Sequence, residues 1–390
     1  MVKARPDFPE SRTSIVFVIN SLAGGGAERV MSTLLKASSS EAATRDLHLV
    51  LLDIEPSAYS VPDWITLHQL DGRHALWRST WQLLVLLRRL RPQAIVSFLT
   101  RANVASILAG RALRLPVVIS ERVNTTSHLG SGWGGKLARM LVKRCYPWAG
   151  RIIAVSPGVG EDLHRAFGLA REKVVVIANP IDLDEIERQS KMGDPPPVTR
   201  PYVMAMGRLV ANKNFGMLIE AYGRANPEAD LLILGEGPER SSLIKRIAEL
   251  GLTDRVHLPG FSRNPFAMLR RAQSFILPSN AEGFPNSLLE AMSLGVPVVS
   301  TNCRSGPAEI LADMPREAVA PGVVLAEHGI LVTCDHVADM ASAMQAMADP
   351  ERRQAYGHKA TRRAAQFSVG RAREAYWEII HAERMHAGNC

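Results

Sequence analysis

Short runs of β-branched and aliphatic residues recur along the chain, each followed by a Gly-rich or polar turn and a longer stretch with apolar residues at helical spacing. "SIVFVIN" leads into "SLAGGGAERVMSTLLKA", and "LHLVLLD", "AIVSFL", "PVVIS" and "RIIAVS" follow in the same manner. This alternation predicts βα units on a parallel sheet. The pattern stops at "KMGDPPPVTR", residues 191–200, whose three prolines fit neither a helix interior nor a central strand. It then restarts with "YVMAMGR", "DLLILGEG", "VHLPG", "SFILPS", "PVVST" and "GILVT". The expected fold class is α/β, with two doubly wound parallel-sheet domains over 1–190 and 201–370, a linker at 191–200, and a C-terminal helix over 371–390 that can return to the first domain. The halves share an architecture and no sequence repeat. Two such domains side by side set the carboxyl ends of their strands across a cleft, where ligands of open α/β sheets bind.

Composition bounds this picture. With 390 residues, 46% of them hydrophobic, the chain can build two ordinary cores, which excludes a single small binding module. Cys145, Cys303, Cys334 and Cys390 are scattered without metal-ligand or disulfide spacing, as expected of a reducing, cytoplasmic chain. The longest apolar stretches fall far short of the roughly 20 residues a spanning helix needs, and Asp7 and Glu10 stand where a secretory signal would be basic, so neither segment is expected.

Charge is distributed unevenly. Residues 1–190 carry 24 Lys and Arg against 17 Asp and Glu, while the remainder carries 22 against 21. Within residues 72–160 there are 14 cations and one acid, Glu121. "WRSTWQLLVLLRRLR" and "WGGKLARMLVKRCYPWAGR" join Trp and Leu to cations at helical spacing, with Lys136, Arg139 and Lys143 on one face and Arg144 beside them. Such stretches suit an anionic membrane surface. Ordinary helices packing Trp and Leu inward would read similarly, and no nucleic-acid motif is present, so no nucleic-acid partner is expected.

Three loops carry candidate chemistry. In "NSLAGGGAERV", Gly24, Gly25 and Gly26 lie between a strand and a helix, where free N–H groups and the helix dipole favour an anion. In "MGRLVANKNFGMLIEAY", Gly207 ends a strand and Arg208 and Lys213 follow in the loop, a pair suited to a diphosphate. In "PSNAEGFPNSLLEAMSLGVPVV", Glu282 lies on a loop kept non-helical by Gly283 and Pro285. A helix expected from about Asn286 to a stop at Gly295 follows, with Glu290 one turn in, able to reach neutral hydroxyls such as a ribose diol.

"EGFPNSLLE", together with "GR", "K", "LLILGEGPE" and "VHLPGF" in order around it, resembles the retaining glycosyltransferases of family 4. "NCRSGPAEIL" looks like the subset that builds bacterial surface polysaccharides and lipid-linked oligosaccharides. The resemblance covers most of the chain and is most specific over residues 201–311. It implies the GT-B fold, two Rossmann-like domains with the nucleotide-sugar donor held mainly by the second and the acceptor by the first. It further implies that Arg208 and Lys213 neutralise the donor diphosphate, Glu282 meets the donor sugar and Glu290 the ribose. Phe284, Asn286 and Ser287 would offer backbone N–H groups to sugar or phosphate oxygens, and Gly24 to Gly26 would face the diphosphate. Many members place a His after the fourth-strand region of the first domain, where this chain has "ISERVNTT". Arg122 there, with Lys136, Arg139, Lys143 and Arg144, is assigned to the acceptor or membrane side.

The expectation is a retaining hexosyltransferase that needs no metal and no cofactor. It would move a hexose or N-acetylhexosamine from a nucleotide sugar, UDP-linked before GDP-linked, to a lipid-linked glycan on the inner face of the cell membrane. A nucleotide-sugar 2-epimerase shares the fold and is the alternative. Asp182 and Asp184 in "DLD" mimic a metal-binding DxD but open the segment "DEIERQ", where acids favour a helix N-terminus.

Overall fold

The apolar runs become strands because parallel strands covered by helices on both faces need side chains that lose water on both sides. The computed structural model describes residues 12–128, 132–192 and 196–388. The first sheet comprises β1 (Thr13–Ile19), β2 (Arg45–Leu51), β3 (Ile65–Gln69), β4 (Ala94–Phe98), β5 (Val117–Glu121), β6 (Arg151–Ala154) and β7 (Val174–Val176). Its order is β3-β2-β1-β4-β5-β6-β7, parallel throughout. The second comprises β8 (Tyr202–Met206), β9 (Asp230–Leu234), β10 (Val256–Gly260), β11 (Phe275–Leu277), β12 (Val298–Thr301), β13 (Val324–Leu325) and β14 (Ile330–Val332). Its order is β10-β9-β8-β11-β12-β14-β13, with only β13 antiparallel to its neighbour. Both sheets reverse direction of growth beside their first strand, which opens a crevice at that strand's carboxyl end.

The strands β3, β7 and β13 are absent from the sequence expectation. All three are sheet edges; β3 exposes three of its five residues, and β7 has none fully buried. An edge strand loses little water, so β3, with the sequence ITLHQ, carries a weak apolar signal, while β7 and β13 are apolar runs of only three and two residues, too short to stand out as strands.

In the first domain, the helices Leu76–Leu90, Thr100–Leu113, Trp133–Cys145 and Pro157–Phe167 follow one another over one face of the sheet. The helix Gly26–Lys36 covers the other face with the C-terminal helix Val369–Gly388. Trp377 meets Phe17 edge-on at 6.2 Å between ring centroids, Tyr376 lies 5.8 Å from Phe98, and Trp377 Nε1 donates to Ser38 Oγ at 3.0 Å. The chain thus passes between domains twice. The two passages meet where Ile181 N donates to Phe367 O at 2.8 Å and Ile181 bridges to Ser368. One apolar cluster runs from the first domain, through Val155 and Val159, to Phe284 and Leu288 of the second.

Candidate functional site

The site lies between the carboxyl ends of the sheets. After β11 the chain runs through residues 278–285 and enters the helix Asn286–Ser293, with Pro285 at the N-cap in extended conformation. Gly295, at φ +72°, follows its end. The first N–H groups of this helix have no intrahelical acceptor and face the opposite domain. Gly283 is required by close approach: a Cβ there would sit 2.3 Å from Arg122 O of the first domain. The loop is fastened from behind, because Ser305 Oγ donates to Glu282 O at 2.9 Å and Thr301 Oγ1 donates to Ser279 O at 2.5 Å.

Beside it, the short turn Ala211–Lys213 brings Lys213 Nζ to 2.5 Å from Glu282 Oε1. The two loops are laced together. Asn280 N donates to Asn212 O at 2.9 Å, Asn212 Nδ2 to Ala281 O at 2.8 Å, and Asn214 Nδ2 to Asn280 Oδ1 at 3.1 Å. Arg208, just after Gly207, is exposed and makes no ion pair among the described residues. A cavity of about 480 Å³ opens farther along the same edge, past the ends of β9 and β10, lined by Leu234, Pro259, Gly260, Phe261 and Met268 with Met192 of the linker.

The first domain answers with backbone. Gly24 turns at φ +118°, and the helix Gly26–Lys36 opens at Gly25 with no side-chain cap. Asn286 Nδ2 reaches across to Gly26 O at 3.3 Å. Two groups here carried no sequence assignment. Glu28 folds back over Gly25, and burial, followed by the charge of Glu55, raises its carboxyl above the usual range. Arg29, one turn into the same helix, pairs with the buried Glu290 of the opposite domain, and that carboxylate raises its guanidinium further. "GGGAER" contains both, but only the meeting of two domains shows what Arg29 faces.

Asn179 was likewise missed. It is buried, accepts from Arg122 Nη2 at Oδ1, and donates from Nδ2 to Phe284 O at 2.8 Å and to Asn286 Oδ1 at 2.7 Å. A further link is Glu309, which accepts from Gly158 N at 3.0 Å and Gly306 N at 2.7 Å, joining the N-termini of two helices from different domains. Phe284 is buried with its ring 5.2 Å from Phe367, and Ser287 is half-buried in the first turn.

The assignment of Arg122 to the acceptor or membrane side is corrected. Its side chain is 5% exposed, donates to Tyr376 Oη at 2.8 Å and Ser120 Oγ at 3.3 Å, and lies 4.7 Å from the Phe98 ring, so it cannot meet a membrane. Burial lowers its guanidinium from the ordinary value. Its neighbour Glu121 is fully buried with Tyr146 Oη and with Asn103 Nδ2 at 3.0 Å as donors, and burial raises its carboxyl to about 6. On the helix Trp133–Cys145, Lys136, Lys143 and Arg144 are exposed, whereas Arg139 is half-buried and donates to Thr126 O at 3.0 Å. Leu137 and Met140 stand out at 55% exposure each, and on the helix Leu76–Leu90 Trp77 and Trp81 reach 72% and 63%. Asp182 caps the helix Leu183–Ser190 by accepting from Glu185 N at 3.1 Å, the structural role expected of it. Among the described residues no group of three His, Cys, Asp or Glu side chains converges. Cys303 is buried, its thiol pushed well up by that burial, and Cys390 lies outside the described residues.

Two families match the chain in succession: Glycosyltransferase Family 4 over residues 24–185 and Glycosyl transferases group 1 over residues 187–363. An N-acetylgalactosamine-N,N'-diacetylbacillosaminyl-diphospho-undecaprenol 4-alpha-N-acetylgalactosaminyltransferase from Campylobacter jejuni is 30% identical over 373 residues, 92% of this chain and 96% of that protein. A second enzyme of that organism, a GalNAc-alpha-(1->4)-GalNAc-alpha-(1->3)-diNAcBac-PP-undecaprenol alpha-1,4-N-acetyl-D-galactosaminyltransferase, is 24% identical over 94% of this chain and 98% of its own. In fold, the chain is similar to Anabaena HepE in complex with UDP, with a TM-score of 0.73 at 20% identity over 95% of this chain and 100% of that one.

Proposed function

The chain belongs to the family 4, group 1 glycosyltransferases of GT-B fold, and on that premise we propose that it is a retaining hexosyltransferase of bacterial surface-glycan assembly. It takes a hexose or N-acetylhexosamine from a nucleotide sugar, UDP-linked before GDP-linked, and passes it to a lipid-linked glycan. The observation that carries this reading is the Lys213–Glu282 pair set beside the opening of the Asn286–Ser293 helix.

Breaking the anomeric C–O bond develops positive charge on the sugar and negative charge on the leaving diphosphate. Lys213, Arg208 and the helix-end N–H groups are fixed charges and dipoles on the side where the negative charge grows, and they need no reorganisation during the reaction. Glu282, paired with Lys213, offers its carboxylate to sugar hydroxyls. Gly24 to Gly26 let the first domain's backbone approach the diphosphate closely. The cavity past β9 and β10 suits the base. Glu290 takes the ribose diol, for which Arg29 has to yield the carboxylate and then adds a cation on the Gly26 side. With cations and N–H groups facing the diphosphate, the reaction proceeds without a metal, and the departing phosphate accepts the acceptor's proton on the face it leaves.

The acceptor reading rests on the undecaprenol-linked substrates named for the two Campylobacter relatives and on the exposed Trp and Leu among cations of the first domain. Trp77, Trp81, Leu137 and Met140 suit the interfacial region of an anionic bilayer, and Lys136, Lys143 and Arg144 its headgroups. No described helix is long and apolar enough to cross a membrane. The enzyme is therefore proposed to work peripherally, at the inner face. No observation favours a 2-epimerase. Thermal-shift screening against UDP-, GDP- and ADP-sugars tests the donor: stabilisation by one class and transfer from it to a lipid-linked acceptor support the reading, and conversion of the donor without acceptor overturns it.

A further inference from the structure

Asn179 sits where three parts of the molecule meet: the end of the first domain, the loop before the Asn286–Ser293 helix, and, through Arg122, the C-terminal helix. A guanidinium can only donate, so Asn179 Oδ1 has to face Arg122 and both Nδ2 hydrogens are turned to Phe284 O and Asn286 Oδ1. Arg122 is itself fixed by Tyr376 Oη, Ser120 Oγ and the Phe98 ring. Gly283 lies flush on the Arg122 carbonyl, so the loop has no room to settle closer. Every polar atom of the Asn179 amide is thus committed, and its orientation is dictated from the first domain.

We infer that Asn179 is a positioning residue for transfer. Held by Arg122, it sets the Phe284 carbonyl and the Asn286 side chain, and with them the N–H groups that open the helix, so donor-loop geometry is coupled to the relation between domains. The inference rests on the donor reading above. A plain structural role, in which Asn179 only fills a buried polar gap, makes the opposite prediction for one substitution.

Asn179→Asp keeps the shape and keeps an oxygen toward Arg122, now as a charge-assisted pair. Its second oxygen faces the Phe284 carbonyl and Asn286 Oδ1 with no proton to offer. The expected result is a folded protein with a wild-type circular dichroism spectrum, in which the charge-assisted pair offsets part of the cost of the opposed oxygens, and kcat lower by about tenfold to a hundredfold at saturating donor, the range that a small misplacement of a positioned group produces. Acceptor KM should not change. Adding Asn286→Ala removes the oxygen opposed to the new carboxylate, so the double variant should lose less than the product of the single losses. Wild-type kcat in a folded Asn179→Asp protein, or strictly multiplicative losses, overturns the inference. Titrations with UDP, GDP and ADP separate this from failure of the donor reading. If none of the three stabilises the wild type, that reading falls and the inference with it. If one does, and Asn179→Asp matches wild type in affinity and kcat, only the inference falls.

Discussion

The carboxyl edges of the two sheets are built on the same order over their first five strands and carry contrasting chemistry. On the second sheet the edge bears charge: Lys213 and Glu282 paired at 2.5 Å, Arg208 exposed, and Glu290 buried one turn into its helix. On the first sheet the edge near the cleft is glycine backbone followed by Glu28 and by Arg29, which is paired with Glu290 of the other domain, while Glu121 and Arg122 are buried and hydrogen-bonded internally. The first domain's surplus cations lie instead on outward-facing helices, among exposed Trp and Leu. Strand order fixes where a site can form; the loops decide which partner each edge can hold.

Four measurements break or sharpen that contrast. The largest effect is expected on the charged edge. Glu282→Ala and Lys213→Ala should each lower transfer by about a hundredfold, ~3 kcal/mol of transition-state stabilisation, with unchanged circular dichroism. Near-wild-type turnover in either would dissolve the distinction between the two edges.

The next effect belongs to the buried acid of the glycine edge. Glu121 has a carboxyl raised by burial to about 6 from an ordinary 4.5. Between those values the native protein holds a proton that the unfolded chain has released, so stability falls as pH rises through the window and levels off above it. The total is about 2 kcal/mol. Denaturant titrations from pH 4.5 to 7 should show a shallower fall in Glu121→Gln than in wild type, with the remainder left to the raised carboxyls of Glu28 and Glu309; an identical pH dependence in the two proteins would overturn the assignment to Glu121.

A smaller effect is expected on the outer helices. Lys143→Ser and Arg144→Ser should each weaken flotation with anionic liposomes by about fivefold at low salt. Donor-induced thermal stabilisation should stay at the wild-type level. Salt should erase the difference, because the surface potential decays within about 8 Å at physiological ionic strength. Wild-type protein that stays out of the liposome fraction would leave these helices as a solvated surface. At the small end, EDTA should not alter the rate of transfer; activity lost to chelator and restored by Mg²⁺ or Mn²⁺ would require a divalent cation on the charged edge.

The parts of the fold legible in the sequence are those that lose the most water. β1, β4, β5, β8 and β9 are buried along most of their length and read as unbroken apolar runs, whereas the edge strand β3 has the mixed sequence ITLHQ and the edge strand β7 is only three valines long. In the site, the start of the helix at Asn286 and the Gly295 after its end could be read locally, because Pro285 and Gly295 act on their own backbone. Lys213 and Glu282, 69 positions apart, meet only because β8 and β11 are neighbours. Arg29 and Asn179 were illegible for the same reason carried further: their partners lie on the other domain, at separations of 261 and 105 to 107 residues. Arg122 misled because a cation in a basic stretch reads as surface, while Phe98, Asn179 and Tyr376 enclose it.

The return of the last helix to the first sheet has a consequence for biosynthesis. Tyr376 and Trp377 close a face of that sheet against Phe17 and Phe98, so the half of the protein made first has its apolar surface completed by residues that are made only after the whole second sheet. At the usual 5–20 residues per second, about 10 to 40 s separate the emergence of the two halves. During that interval the nascent first domain has an uncovered apolar sheet face, and Arg122 waits for the Tyr376 hydroxyl that anchors it.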